Sequence, residues 1–408
     1  MFKNKILVII FFTVFIDLLG IGILIPVIPQ LFANPLSIDY MLPMGMTLNQ
    51  GYMLLGLLIA VYPLGQFIAT PIIGQLSDKY GRKKILGIAL FGTAVSYVVF
   101  AIAIITKNIP LLFISRFADG ITGGNISIAQ AMIGDVSKPE NRVKNFGMLG
   151  AAFGLGFIIG PYIGGKLSDP SIISWFDAAT PFYFAAILAF INMLSVLFLV
   201  PETNHNLNKA KLTWGKSISN IKKAMEMKGV SAIFLTNFLF FGGFTFFTTF
   251  FGVFLINKFN FTQGNIGDFF AYVGIWSVIT QAVLTRFLAK KFNEAKILNY
   301  TLIGGGLMVL AYFLPQYAWQ IFLIPPLFSA FTGLSMANLN ALLSKSAPAD
   351  ARGEIMGISA SVQALAQAIP AILSGFIAAS LAPTTPLLIA SIVIIFSGIA
   401  FRFLYKKA

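Results

Sequence analysis

Cysteine is absent from this chain of 408 residues, and there is one histidine, His205. Disulfides, thiolate nucleophiles and thiolate metal sites are therefore excluded. One histidine in a charged stretch builds no imidazole metal cluster. Charge is scarce too. Asp, Glu, Lys and Arg make up 10% of the residues, against roughly 25% in a soluble globular domain. So little charge cannot cover a water-facing surface. No catalytic triad, metal cluster or phosphate loop is visible, so an enzyme is not expected. Polar residues are too sparse to line a continuous channel.

What is present is apolar: 57% hydrophobic residues, 42 of them Phe, with a mean hydropathy of +0.85. A membrane-crossing helix needs about 20 mostly apolar residues. Such runs occur near 6–31, 49–72, 85–106, 110–135, 145–167 and 179–200, and again near 230–256, 265–289, 296–314, 318–344, 353–380 and 385–405. The runs are too long, and alternate too little, for barrel strands. The first follows Met1–Lys5 like the core of a signal peptide, but no small-residue cleavage site closes it, so it is read as the first membrane helix. The expected fold is an all-α membrane protein of twelve transmembrane helices in two pseudo-symmetric halves, residues 1–200 and 230–408. The stretch 201–229, rich in lysine, is the expected cytosolic linker, either a solvated charged loop or one carrying a short amphipathic helix at the membrane surface.

The net charge of +14 has a topological cause. With both termini in the cytosol, nearly all of the 28 Lys and Arg fall on the inner side, as the positive-inside rule requires. Lys107, Lys166 and Lys258 fall outside, and Arg116 lies within a span. The basic balance therefore implies contact with lipid headgroups and no nucleic-acid partner. The halves also echo each other: Arg142 is followed by Gly147, Pro161 and Gly165, and Arg352 by Gly357, Pro370 and Gly375, at nearly matching offsets. Duplicated halves suit an alternating-access transporter.

Ionisable residues inside spans are expensive and mark function. Asp17 lies mid-span in the first helix and is expected to face a central cavity, where it exchanges a proton near pH 7. Arg116 and Asp119 lie three apart on one helix face. Either they form a fixed internal ion pair, or they take part in coupling and Arg116 binds anionic or polar substrate atoms. The second half has no mid-span charge to match, so proton chemistry is expected in the first half. Asn125, Gln130, Asn237, Phe241, Gln281, Asn338 and Gln363 are candidate cavity residues, with interhelical hydrogen bonding or packing as the alternative for each. Phe244, Phe247, Phe250 and Trp276 line an apolar pocket or face lipid, and Asp268 lies near an outer helix end. Gly74, Asp78, Gly81 and Arg82 form a short charged turn between helices two and three. Its glycines allow close packing, and Arg82 can reach Asp135 to latch the cytosolic side; a plain basic loop is the alternative. Gly147, Gly156, Gly160, Pro161, Gly164 and Gly165 give the fifth span a tightly packing, bendable face.

These motifs resemble the major facilitator superfamily in its bacterial drug/proton antiporter branch. Gly74–Lys84 is similar to the superfamily's loop signature, Arg116–Gly120 to its helix-four signature, and Gly147-x8-Gly156-x3-Gly160-Pro161-x2-Gly164-Gly165 to the antiporter signature of helix five. Within the branch, Asp17-Leu-Leu-Gly-Ile-Gly, Pro26-Val-Ile-Pro29, Arg116 with Gly120–Gly123, and Pro201-Glu202 resemble the tetracycline/proton antiporters. The resemblance implies proton-coupled export of a hydrophobic or amphiphilic small molecule by a monomer in the bacterial inner membrane, with protons as coupling ion and no other cofactor. Asp17 then matches a transport acid, and Asp78, Arg82 and Asp135 a cytosolic gate. The chain departs from that subfamily at Ser96 and Ile303–Gly306, where an acid is usual, and at Asp119, where a small apolar residue is usual. Tetracycline itself is therefore not implied, and Asp119 is a candidate replacement proton site. Export of a native metabolite, such as a siderophore or a sugar or lipid derivative, on the same scaffold is the alternative.

Overall fold

The computed structural model describes residues 2–137, 142–204, 207, 213, 215–227, 230–346 and 352–405. His205, Lys209 and Lys211 of the linker lie outside them. The helices are α1 (Phe2–Phe32), α2 (Leu48–Tyr80), α3 (Arg82–Ile105), α4 (Ile109–Thr122), α5 (Asn125–Val136), α6 (Arg142–Leu167), α7 (Thr180–Leu199), α8 (Lys216–Glu226), α9 (Ser231–Phe259), α10 (Gln263–Ile279), α11 (Thr285–Ala289), α12 (Glu294–Ala311), α13 (Pro325–Ser346), α14 (Arg352–Ser380) and α15 (Thr385–Leu404). Among the described residues, nine stretches are long and apolar enough to cross a membrane on length and composition alone. Three more passes are made by α4 with α5, by α6 and by α12. Helices are the economical choice because each satisfies its own backbone polar groups where water is excluded. Their ends are closed locally: Thr47 and Thr262 form reciprocal caps with Gln50 and Asn265, and Asn108 and Asn293 cap α4 and α12.

The two halves repeat one packing pattern. In the first, α1 packs on α6 and α7, α3 on α4 and α7, and α2 on α4; in the second, α9 packs on α14 and α15, α12 on α13 and α15, and α10 on α13. Element for element these are the same pairings. The halves meet through α2 with α14 and α6 with α10. Glycine makes the approach close: a Cβ on Gly375 would lie 2.7 Å from the Tyr52 carbonyl, and one on Gly165 would lie 2.5 Å from that of Gln263.

Most of these cross-half contacts lie toward the outer ends. Lys166 of α6 pairs with Asp268 of α10 at 2.8 Å, and the Tyr52 and Phe250 rings meet edge to face with centroids 5.9 Å apart. Pro29 of α1 sits against Gly252 of α9. In the loop between α1 and α2, Asp39 accepts from Gln263 at 3.5 Å. Burial pushes the Asp39 carboxyl above its ordinary range, opposed by a hydrogen bond from the Ala178 backbone. The two halves thus meet directly at these ends of α2, α6, α10 and α14.

Three sequence expectations need correction. The fourth span is not one helix over 110–135: it breaks at Gly123–Gly124 between α4 and α5. The eighth pass carries a π-helical turn at Thr280–Leu284. Phe247 and Phe250 do not face lipid but are fully buried. Phe247 belongs to an aromatic core with Phe251, Phe328 and Tyr312, at centroid separations of 4.4, 5.0 and 5.6 Å. Such pairs add to the area term.

Candidate functional site

The break in the fourth span builds the site. Gly123 and Gly124 lack side chains where there is no room for them: a Cβ on Gly123 would stand 2.6 Å from the Tyr62 hydroxyl, and one on Gly124 would stand 2.9 Å from Ile73. The polar backbone freed at the break is satisfied by protein. Gln66 Nε2 donates to the Gly123 carbonyl at 3.2 Å and Ser127 Oγ to that of Gly124 at 2.7 Å. Non-helical backbone at membrane depth needs such cover. The break also makes Asn125 the first residue of α5 and turns its amide toward α1.

There Asp17 is held. Its carboxylate accepts from Asn125 Nδ2 at 3.0 Å and from the Tyr62 hydroxyl at 3.3 Å. Tyr62 Oη accepts in turn from Gln66 Nε2 at 2.9 Å. The Tyr62 ring lies under Arg116, 4.1 Å from guanidinium carbon to ring centroid, a cation–π contact that gains from desolvation. Arg116 Nη1 meets Asp119 Oδ2 at 2.5 Å. Asp17, Tyr62, Arg116, Asp119 and Asn125 are all buried, so their charges are screened less here than in water. Arg116 Nε, Asp119 Oδ1 and Asn125 Oδ1 have no hydrogen-bond partner among the described residues.

Four of the residues expected from sequence thus converge, and Arg116 and Asp119 do pair. Two members were missed as a unit, Tyr62 and Gln66. They lie four apart on α2, hence on one face, a signal visible beforehand only as an isolated polar residue in a span. The second-half candidates do not join this cluster. Asn237 is fully buried, with neither amide atom partnered among the described residues. Asn338 donates to the Leu334 carbonyl of its own helix at 2.8 Å, and Gln363 to Ser359 at 3.3 Å. Phe241 packs against the core, Gln130 is half-buried, and Gln281 is exposed within the π-helical turn.

At the basic face, Arg82 pairs with Asp135 at 2.5 Å and with Asp78 at 3.1 Å. Glu202, just past α7, accepts from the backbone N–H of Arg82 at 3.0 Å and of Lys83 at 3.2 Å. Gly81 has φ 97°, and a Cβ there would lie 2.5 Å from Glu202 Oε2. Both constraints select glycine. Gly74 differs: a Cβ there would meet only Ser127, at 3.9 Å, so close packing is not its reason. Among the described residues this network lies wholly in the first half and ties α2, α3, α5 and the exit of α7 together. It has a counterpart of reversed polarity in the second half, where Lys345 at the end of α13 pairs with Glu294 at the start of α12.

The glycine face of α6 divides between two partners. Gly156, Gly160 and Gly164 pack on α1 at Leu18, Gly22 and Ile23, with Pro161 also against Gly22, while Gly165 faces Gly267 of the other half. Gly147 lies in the same helix.

Known proteins resemble this chain over most of its length. The family model of the Major Facilitator Superfamily matches residues 10–371. The tetracycline resistance protein, class H, of Pasteurella multocida is 31% identical over 386 residues, covering 92% of this chain and 89% of that protein. The class C protein of Escherichia coli is 30% identical, covering 93% and 91%, and the quinolone resistance protein NorA of Staphylococcus aureus is 28% identical, covering 82% and 79%. Among solved structures, a D-xylose-proton symporter superposes with TM-score 0.79 at 16% identity over 100% of this chain and 99% of that one. The human organic anion transporter MFSD10 superposes with TM-score 0.72 at 20% identity over 98% and 99%. At those identities the structures speak to the fold alone.

Proposed function

Since the chain belongs to the Major Facilitator Superfamily, a family of membrane transporters, we propose that it is a proton-driven exporter of hydrophobic small molecules, rocking its two halves about the site in the first. The observation that carries this reading is the buried set Asp17, Arg116 and Asp119, to which no mid-span charge of the second half corresponds. With both carboxylates ionised the set holds one uncompensated negative charge. In a site of low dielectric that charge costs several kcal/mol. Two arrivals remove it: a proton on either carboxyl, or a positively charged group on a substrate. The site therefore exchanges one for the other, which is the logic of antiport. Tyr62 and Asn125 orient the Asp17 carboxylate, and Arg116 keeps Asp119 from carrying a second uncompensated charge. A hydrophobic, positively charged or strongly polarised compound fits this chemistry, and the tetracycline and quinolone resistance relatives support a drug as cargo. The cytoplasmic membrane of a bacterium supplies the proton gradient.

Everted vesicles carrying the protein test the proposal with a panel of hydrophobic cations, quinolones and tetracycline. Uptake of at least one class should rise with an imposed acid-inside gradient and collapse with a protonophore. Asp17→Asn should abolish most of the gradient-driven rate, because an amide has no carboxyl to take up and release the coupling proton. Uptake indifferent to the gradient, or unaltered in that variant, would sink the assignment.

A further inference from the structure

The linker helix α8 packs against α2, α9 and α14. Its residues Ser217, Asn220 and Ala224 form one buried face, while Ile218 and Met225 on the other are 69% and 71% exposed. The buried face is bonded to both halves. Pro71 inside α2 has no N–H, so the Phe67 carbonyl one turn earlier loses its helical donor. Ser217 Oγ donates to that carbonyl. Three residues on, Asn220 Nδ2 donates to Ser361 Oγ of α14 at 3.2 Å. The approach to α8 is anchored as well: Thr213 N donates to Gln75 Oε1 at 2.8 Å, and Gln75 Nε2 returns a bond to the Thr213 carbonyl at 3.3 Å.

These partners are deep. Phe67 is roughly 13 residues, or about 20 Å, from the Tyr80 end of α2, and Ser361 is about 13 Å from the Arg352 end of α14, at the rise of an α-helix. On the outer side α2 and α14 touch directly, with Gly375 against Tyr52 and Met53. Toward the basic side α8 bridges them. We propose that α8 is a built-in plug of the cytosolic cleft: it wedges between α2 and α14 while the outer side is closed, holds that state, and must withdraw before the inner ends of the halves can meet. Its two anchors belong to bodies that move relative to each other, so both bonds cannot survive the rocking motion. Cargo entering from the cytosol meets α8 before it meets Asp17. The inference rests on alternating access of the two halves and not on which compound is carried.

The chain has no cysteine of its own, which permits a direct test in membranes. Met53→Cys, beside Gly375, reports opening of the outer side through an impermeant maleimide. Oxidation of an added Asn220→Cys/Ser361→Cys pair should join α8 to α14, abolish labelling at position 53, and be reversed by reductant. Separately, Ser217→Ala with Asn220→Ala should raise the labelling rate about fivefold, the worth of one or two hydrogen bonds. A pair that does not cross-link, a cross-link that leaves labelling unchanged, or alanine variants that label like the parent would each overturn the proposal. Because the readout needs no substrate, a null result in the drug panel leaves it standing.

Discussion

At the scale of single residues, the site turns on how one guanidinium is shared. Arg116 has a carboxylate on one side and an aromatic face on the other, and the hydroxyl of that same ring reaches Asp17. Tyr62 thus couples the two acids without being ionised. Tyr62→Phe removes the hydroxyl bonds to Asp17 and Gln66 but keeps the ring under Arg116. A hydrogen bond to a charged group is worth about 1.5–3 kcal/mol. The expected outcome is a fall in gradient-driven transport of roughly tenfold with a modest drop in melting temperature. Tyr62→Ala also loses the cation–π contact and leaves a cavity, which costs about 3–5 kcal/mol, so the melting temperature should drop further. Transport in everted vesicles together with thermal unfolding in detergent separates the two cases. Transport unaltered in Tyr62→Phe would show that the hydroxyl has no part of its own.

At the scale of elements, α6 is the helix that serves both bodies. Its Gly156, Gly160 and Gly164 are committed to α1 within the first half, and Gly165 to α10 of the second. A side chain at Gly165 is tolerated only when the halves separate on the outside. Gly165→Leu should therefore fold, remain trapped with the outer side open, and label at an outer cysteine several times faster than the parent, while transport stops. Gly154 supplies the control, since a Cβ there meets nothing within 4 Å. Gly154→Ala should leave transport intact and stabilise the helix by about 0.5–1 kcal/mol. The break between α4 and α5 is the other element-scale feature. Two residues without side chains give up helical continuity, and Asn125 gains the position from which it reaches Asp17.

At the scale of the whole molecule, the outer side is latched across the halves by Lys166 and Asp268, whose side chains are 32% and 45% exposed. A pair that wet is worth no more than about 1 kcal/mol, so it biases the closed state without locking it, as a transporter that must cycle requires. Lys166→Asp should shift the population toward outer opening by up to about fivefold, and the added Asp268→Lys should restore it. Distance measurements between spin labels on the two halves would follow both changes; failure of the second substitution to restore closure would remove the latch from the account.

The twelve passes and their division into two halves follow from the sequence alone. The reason is physical: in hydrocarbon each helix satisfies its own backbone, so a local apolar run suffices to specify a span. The separation of charged residues from lipid likewise marked Asp17, Arg116 and Asp119. What only tertiary structure decided is who meets whom. Asn125 reaches Asp17 across 108 positions, Ser217 reaches Phe67 across 150, and Glu202 caps the turn at Arg82 across 120. No local pattern encodes such pairings. They depend on where a helix breaks, which carbonyl a proline frees, and which glycine lets two backbones close, and these consequences exist only once the helices have packed.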